Sequence, residues 1–219
     1  ELSWLSAPNR ALAPLDWVAR RVLRAAEDDT VYSGIAVGQN IYTPRDTKTT
    51  LPLRDQHPYA GWLHATLSAF VDSGRTLDTL ALDVGVVGPD AGAEWVQNNV
   101  HDLLGAEEAK GWRHQVQNEP GFVLTADRKW RAIAEWRPDG LGVDVLPSVG
   151  VSVGNVLTQA QAGLVLRLGE QLADDYGPPR IRPSVAGAGF FAPRGRFSWY
   201  LFAGANGRAV AYNIVLDGN

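Results

Sequence analysis

The chain has 219 residues, 45% hydrophobic and 20% charged, with no Cys and no Met. Its 20 basic and 24 acidic side chains leave a formal charge of −4, so the basic footprint of a nucleic-acid binder is missing, and the hydrophobic fraction is too high for a disordered chain. Lack of cysteine excludes a disulfide scaffold, a thiolate zinc site and a cysteine nucleophile.

No stretch approaches the roughly 20 apolar residues of a membrane-spanning helix. Barrel strands, however, cross with roughly 10 residues each and look polar on average, because half their side chains face inward; a mean hydropathy of −0.14 accommodates that. The chain starts at Glu1 without Met or an apolar leader, as a mature form or an excised piece would.

In chain order, Leu15, Val18, Ala19, Val22 and Leu23 follow helical spacing with Arg20, Arg21 and Arg24 opposite, which predicts a short amphipathic helix. Period two then takes over. Val31–Tyr42 alternates, and in Trp62–Asp72 the face Leu63, Ala65, Leu67, Ala69, Val71 opposes His64, Thr66, Ser68. Leu80, Leu82, Val84 and Val86 oppose Thr79, Ala81, Asp83 and Gly85. From Pro89 to Gly105 the period changes: Trp95, Val96, Val100, Leu103 and Leu104 form a helical stripe closed by Gly105. Alternation resumes from Phe122 through Trp136, in Val143–Val153 and in Gln159–Leu168. This amounts to roughly ten strands, many longer than the usual five or six residues.

A soluble sandwich interdigitates large side chains in its core. Here the apolar faces carry Ala, Val and Leu, and the opposite faces Gln, Asn, Asp, Ser, Thr and Arg, as a lipid-facing wall around a polar lumen would. Tyr42, Trp62, Trp130, Trp136 and Trp199 fall near strand ends, where interface girdles sit. The expectation is an all-β, antiparallel transmembrane barrel, one domain over residues 1–219, with a soluble barrel or lipocalin-like binder as the alternative.

Among chemical motifs, Gly150-Val-Ser-Val-Gly154 matches G-x-S-x-G, but a nucleophile elbow needs a strand–turn–helix and this match lies inside a strand. In the helix Ala93–Leu104, Gln97 and His101 share a face four residues apart. An imidazole held in one tautomer there can act as a base on water, while the plainer alternative is a solvated polar face. The segments Ile41–Asp46 and Arg54–Trp62 are dense in Arg, His, Pro and Gly and sit between strands. Arg45, Lys48, Arg54 and His57 are placed there either to meet anionic head groups or to serve as ordinary loop charges.

GQNIYTP at Gly38–Pro44, HPYAGW at His57–Trp62, the helix with Gln97 and His101, GWRHQVQNEPG at Gly111–Gly121 and VAYNIVLDGN at Val210–Asn219 occur in this order over nearly the whole chain. In these motifs the sequence resembles the outer-membrane lipid A 3-O-deacylases. The resemblance implies a barrel of about twelve strands in a Gram-negative outer membrane, monomeric, with a short helix from an extracellular loop over the barrel wall. It implies a calcium-dependent ester hydrolase removing the 3-linked acyloxyacyl chain of lipid A, with His101 as the base on water, Gln97 its helical neighbour, and Arg54, Gln56, His57 and Tyr59 on the lipopolysaccharide. A catalytically silent barrel of the same scaffold is the competing expectation. Gln56 and His57 stand where the family usually has Asp-Arg, which removes a guanidinium from that loop. The family's early Asn-Asp pair, part of its calcium site, would precede Glu1, so the metal ligands are unknown and the chain is expected to lack the first and last strands.

Overall fold

The computed structural model describes residues 2–6, 13–53, 55–136, 141–170, 172, 175–177, 197 and 199–218. Among the described residues nine strands form one antiparallel sheet: β1 (Leu2–Ser6), β2 (Thr30–Tyr42), β3 (Ala60–Asp72), β4 (Thr76–Val87), β5 (Glu119–Trp130), β6 (Ala134–Trp136), β7 (Gly142–Gly154), β8 (Leu157–Gly169) and β9 (Tyr200–Asn213). They follow one another in order from β1 to β9, except that β6 pairs only with β7. β1 and β9 are the two edges among the described residues. The helices are α1 (Ala13–Val22), α2 (Ala93–Leu104) and α3 (Ile214–Asp217).

Alternation sets the two faces as expected. Leu63, Leu67, Leu82, Val84, Val149, Val151, Leu164 and Leu166 are all exposed on the convex side, while His64, Thr66, Ser68, Asp83, Ser148, Ser152 and Gln159 are buried on the other. A soluble fold would place these the other way round, so the lipocalin-like alternative fails: the interior is polar, not an apolar cavity. Inside, Arg167 is fully buried and donates to both oxygens of Asp144 at 2.9 and 2.6 Å. Gln161 donates to Asp127 across Gly150, where a Cβ would stand 2.7 Å from both side chains. Ser152 bonds Thr125 on the facing strand at 3.0 Å. G-x-S-x-G is thus a lumen-wall sequence, not an elbow.

Two expectations need correction. The alternation from Phe122 to Trp136 is not one strand: it breaks after Trp130, where Ala132 takes φ 43°, and only Ala134–Trp136 pairs again. Tyr42 and Trp62 are not girdle residues. Trp62 lies inward, stacked on His64 at 4.4 Å, and joins the cluster of Ala60, Val87, Val123 and Ile214, against which Tyr42 packs. Even-numbered side chains on β3 point inward, and strand phase outweighs residue type there.

Both longer helices lie on the convex face of β2 and β3, at opposite ends. Ala19 of α1 is buried against Val31, Ala69 and Val71, and Ser33 donates to Asp16 at 2.7 Å. α2 sits at the other end, over Gln39, Ile41 and Gly61. About six residues of β2 separate the two footprints, about 20 Å at strand rise.

Candidate functional site at the α2 end of the barrel

The site is built where loops 43–59 and 88–118 meet on the outer wall. Gly61 makes the close approach possible: a Cβ there would stand 2.5 Å from the Cβ of Ala93 and 3.1 Å from that of Ala91. Gln39 donates to the Ala91 carbonyl at 2.6 Å, tying the wall to the entry of α2. Gly92 and Gly105 flank the helix with φ of 68° and 66°, a conformation that glycine adopts without strain.

The apolar stripe of α2 is its exposed side: Trp95 is 71% and Leu103 84% exposed. The polar residues Gln97, Asn98 and His101 are partly buried. Each has a partner in the returning loop. Gln97 Oε1 accepts from the indole N–H of Trp112 at 3.1 Å. Asn98 Oδ1 accepts from the Ala109 amide at 3.0 Å. His101 Nδ1 lies 2.6 Å from the carbonyl oxygen of Glu107. A carbonyl only accepts, so Nδ1 carries the hydrogen, and in the neutral ring Nε2 keeps its lone pair as proton acceptor.

Trp112 is fully buried and packs against Tyr59 with ring centroids 4.8 Å apart, in a cluster with Ala93 and Ala109. Gly111 leaves room for this, since a Cβ there would be 2.4 Å from the Tyr59 ring. Burial pushes the Tyr59 phenol above its ordinary pKa. Lys48 bridges Glu107 at 2.7 Å, and each holds the other in its charged form: the ammonium is raised and the carboxyl lowered. Both are well exposed, so the pair orders the loop only weakly.

Gln56, His57 and Tyr59 line one pocket of about 190 Å³ together with Leu51, Leu53 and His114. Gln56 Oε1 accepts from the amides of Arg45 and Asp46 at 2.7 and 3.3 Å, so it also shapes the loop. His57 Nδ1 lies 3.0 Å from the Pro58 carbonyl. Arg54 lies outside the described residues. His114 Nε2 accepts from Arg113 at 2.9 Å. No three His, Asp or Glu side chains converge as a metal site among the described residues; Glu94, Asp102, Glu107 and Glu108 are all exposed. These residues therefore do not by themselves fit a calcium ion.

The pairing of His101 with Glu107, the Gln97–Trp112 bond and the glycine at Gly61 were not separable from the sequence. The motifs HPYAGW and GWRHQ carried the signal, but not that one packs against the other.

The family model of the outer membrane protein LpxR matches residues 1–219. The chain belongs to that family. Among solved structures it is similar to LpxR from Salmonella typhimurium, with a TM-score of 0.75 and 22% identity, covering 99% of this chain and 78% of that one. At that identity the likeness speaks for the β-barrel fold. No curated protein matches the sequence. Membership places the chain in the outer membrane, so the convex wall of Leu and Val faces lipid, and α2 with its pocket stands at a rim of the lipid-exposed wall.

Proposed function

We propose that the protein is an ester hydrolase that removes the 3-O-linked acyloxyacyl chain of lipid A at the α2 rim, with His101 as general base. The single observation carrying this is the 2.6 Å contact of His101 Nδ1 with a backbone carbonyl, on a helix lying against the lipid-facing wall. That contact sets the tautomer, so Nε2 accepts a proton from water as it attacks the ester carbon. Gln97, bonded to Trp112, positions the helix rather than the proton. The pocket of Gln56, His57 and Tyr59 is proposed for the saccharide head of lipopolysaccharide, and the exposed Trp95, Leu103 and Leu104 for its acyl chains.

In this reading activity requires calcium, as the family resemblance implies. Chelator added to the full-length protein should abolish deacylation and calcium restore it, and undiminished turnover in excess chelator removes the metal. The direct test is His101→Ala in the full-length protein, with lipid A products read by mass spectrometry. Deacylation should fall at least about 10²-fold, the usual scale for a positioned acid–base group, with the barrel intact. Near-normal turnover would take the base role from His101, whereas no deacylation by the wild-type protein would leave a catalytically silent barrel.

A further inference from the structure

α1 has no part in the site just described. It lies at the opposite end of the wall, outside the barrel, where its surroundings in an outer membrane are lipid and the lipid–water boundary. Its inner side is used up: Ala19 is buried on Val31 and Val71, and Asp16 is bonded to Ser33. Its outer side carries Trp17, 64% exposed, Val22, 55% exposed, and the exposed guanidinium groups of Arg20 and Arg21, followed by Arg24. Among the described residues none of these three arginines forms an ion pair. Just beyond the helix, Leu23 borders a groove of about 370 Å³ on the convex wall, floored by Ala126, Val149 and Val151 and edged by Arg128, Asp78 and Asp127. Arg128 is already committed, donating to Asp78 at 2.5 and 2.8 Å.

We infer that α1 and this groove form a binding site for an anionic glycerophospholipid of the leaflet at that rim. The acyl chain lies along Ala126, Val149 and Val151, and the phosphate meets Arg20, Arg21 and Arg24. The groove is continuous with the lipid-facing belt, which makes its occupant a lipid; Arg20, Arg21 and Arg24, within three residues of the lining Leu23 in sequence, select a negative head group. An exposed Trp on a basic, amphipathic helix is the arrangement that seats a helix at the head-group boundary.

These 219 residues hold no cysteine, so a thiol introduced among them has no competitor in this part of the barrel. The full-length barrel, purified in mild detergent, is first probed by native mass spectrometry with phosphatidylglycerol, phosphatidylcholine or lipopolysaccharide added in equal amounts. Phosphatidylglycerol should be retained preferentially. The combined Arg20→Gln, Arg21→Gln, Arg24→Gln variant should lose at least about tenfold of that preference, and Ala126→Trp, which fills the groove, should lose the bound lipid. In vesicles, a fluorophore on Trp17→Cys should be quenched by brominated phosphatidylglycerol and shielded from iodide. Equal retention of both phospholipids, preferential retention of lipopolysaccharide, or a label shielded from both quenchers, as under a second protein, would each overturn the site. Deacylation by these variants should stay at the wild-type level, since none touches the α2 rim.

Discussion

α1 and α2 are both short amphipathic helices lying on the outside of the same two strands, yet they turn opposite sides to the protein. α1 presses a small apolar residue, Ala19, onto Val31, Ala69 and Val71. α2 turns Gln97, Asn98 and His101 toward its returning loop and leaves Trp95, Leu103 and Leu104 exposed. In water the second arrangement would be costly. Beside a lipid-facing wall it is not, because exposed apolar side chains there meet acyl chains. The partly buried polar side of α2 is tied to the returning loop by hydrogen bonds from Gln97, Asn98 and His101, and this is where a defined histidine tautomer is obtained.

The contrast can be broken at either helix. Trp112→Ala should have the largest effect: removing a fully buried indole costs about 3–5 kcal/mol and orphans the Gln97 acceptor. Amides of residues 97–110 should exchange much faster, while those of α1 stay unchanged. Val149→Arg, half-way along β7 on the convex wall, should cost about 2–4 kcal/mol if it lies at the midplane. Reversible unfolding in vesicles measures this, and no loss would mean that the wall does not face lipid. Gln97→Ala should cost about 1–3 kcal/mol by leaving the buried Trp112 N–H without its acceptor. Deacylation should fall less than in His101→Ala, and an equal fall would give Gln97 a direct role in proton transfer. Ser33→Ala removes the hydrogen bond to Asp16 and should cost about 0.5–1.5 kcal/mol. Exchange should quicken in α1 alone, and an effect at α2 would show the two ends to be coupled.

Side-chain alternation and helical spacing, both local, were readable directly. Period two assigned Leu63, Val149 and Leu166 to one face and His64, Ser152 and Gln159 to the other, because successive strand side chains must point to opposite sides. The spacing from Ala93 to Leu104 and the closing Gly105 located α2 with its Gln97–His101 pair. Arg128 shows the limit: it shares the outward phase of Leu124, and only the cross-strand register, Asp78 opposite Arg128, reveals how its charge is accommodated.

What the sequence determined alone was the phase of each strand, the two helices and the motifs that mark the family, since each depends on neighbours a few residues away. The tertiary structure decided the rest. It set which side of the wall each helix occupies, why Gly61 and Gly111 must lack a side chain, and that Trp112 holds Gln97 while Glu107 holds His101. Those contacts join the 43–59 loop, β3 and the 88–118 loop, which meet only once β2 to β5 have paired in register. A glycine or histidine carries no local signal of the surface that will come within 3 Å of it.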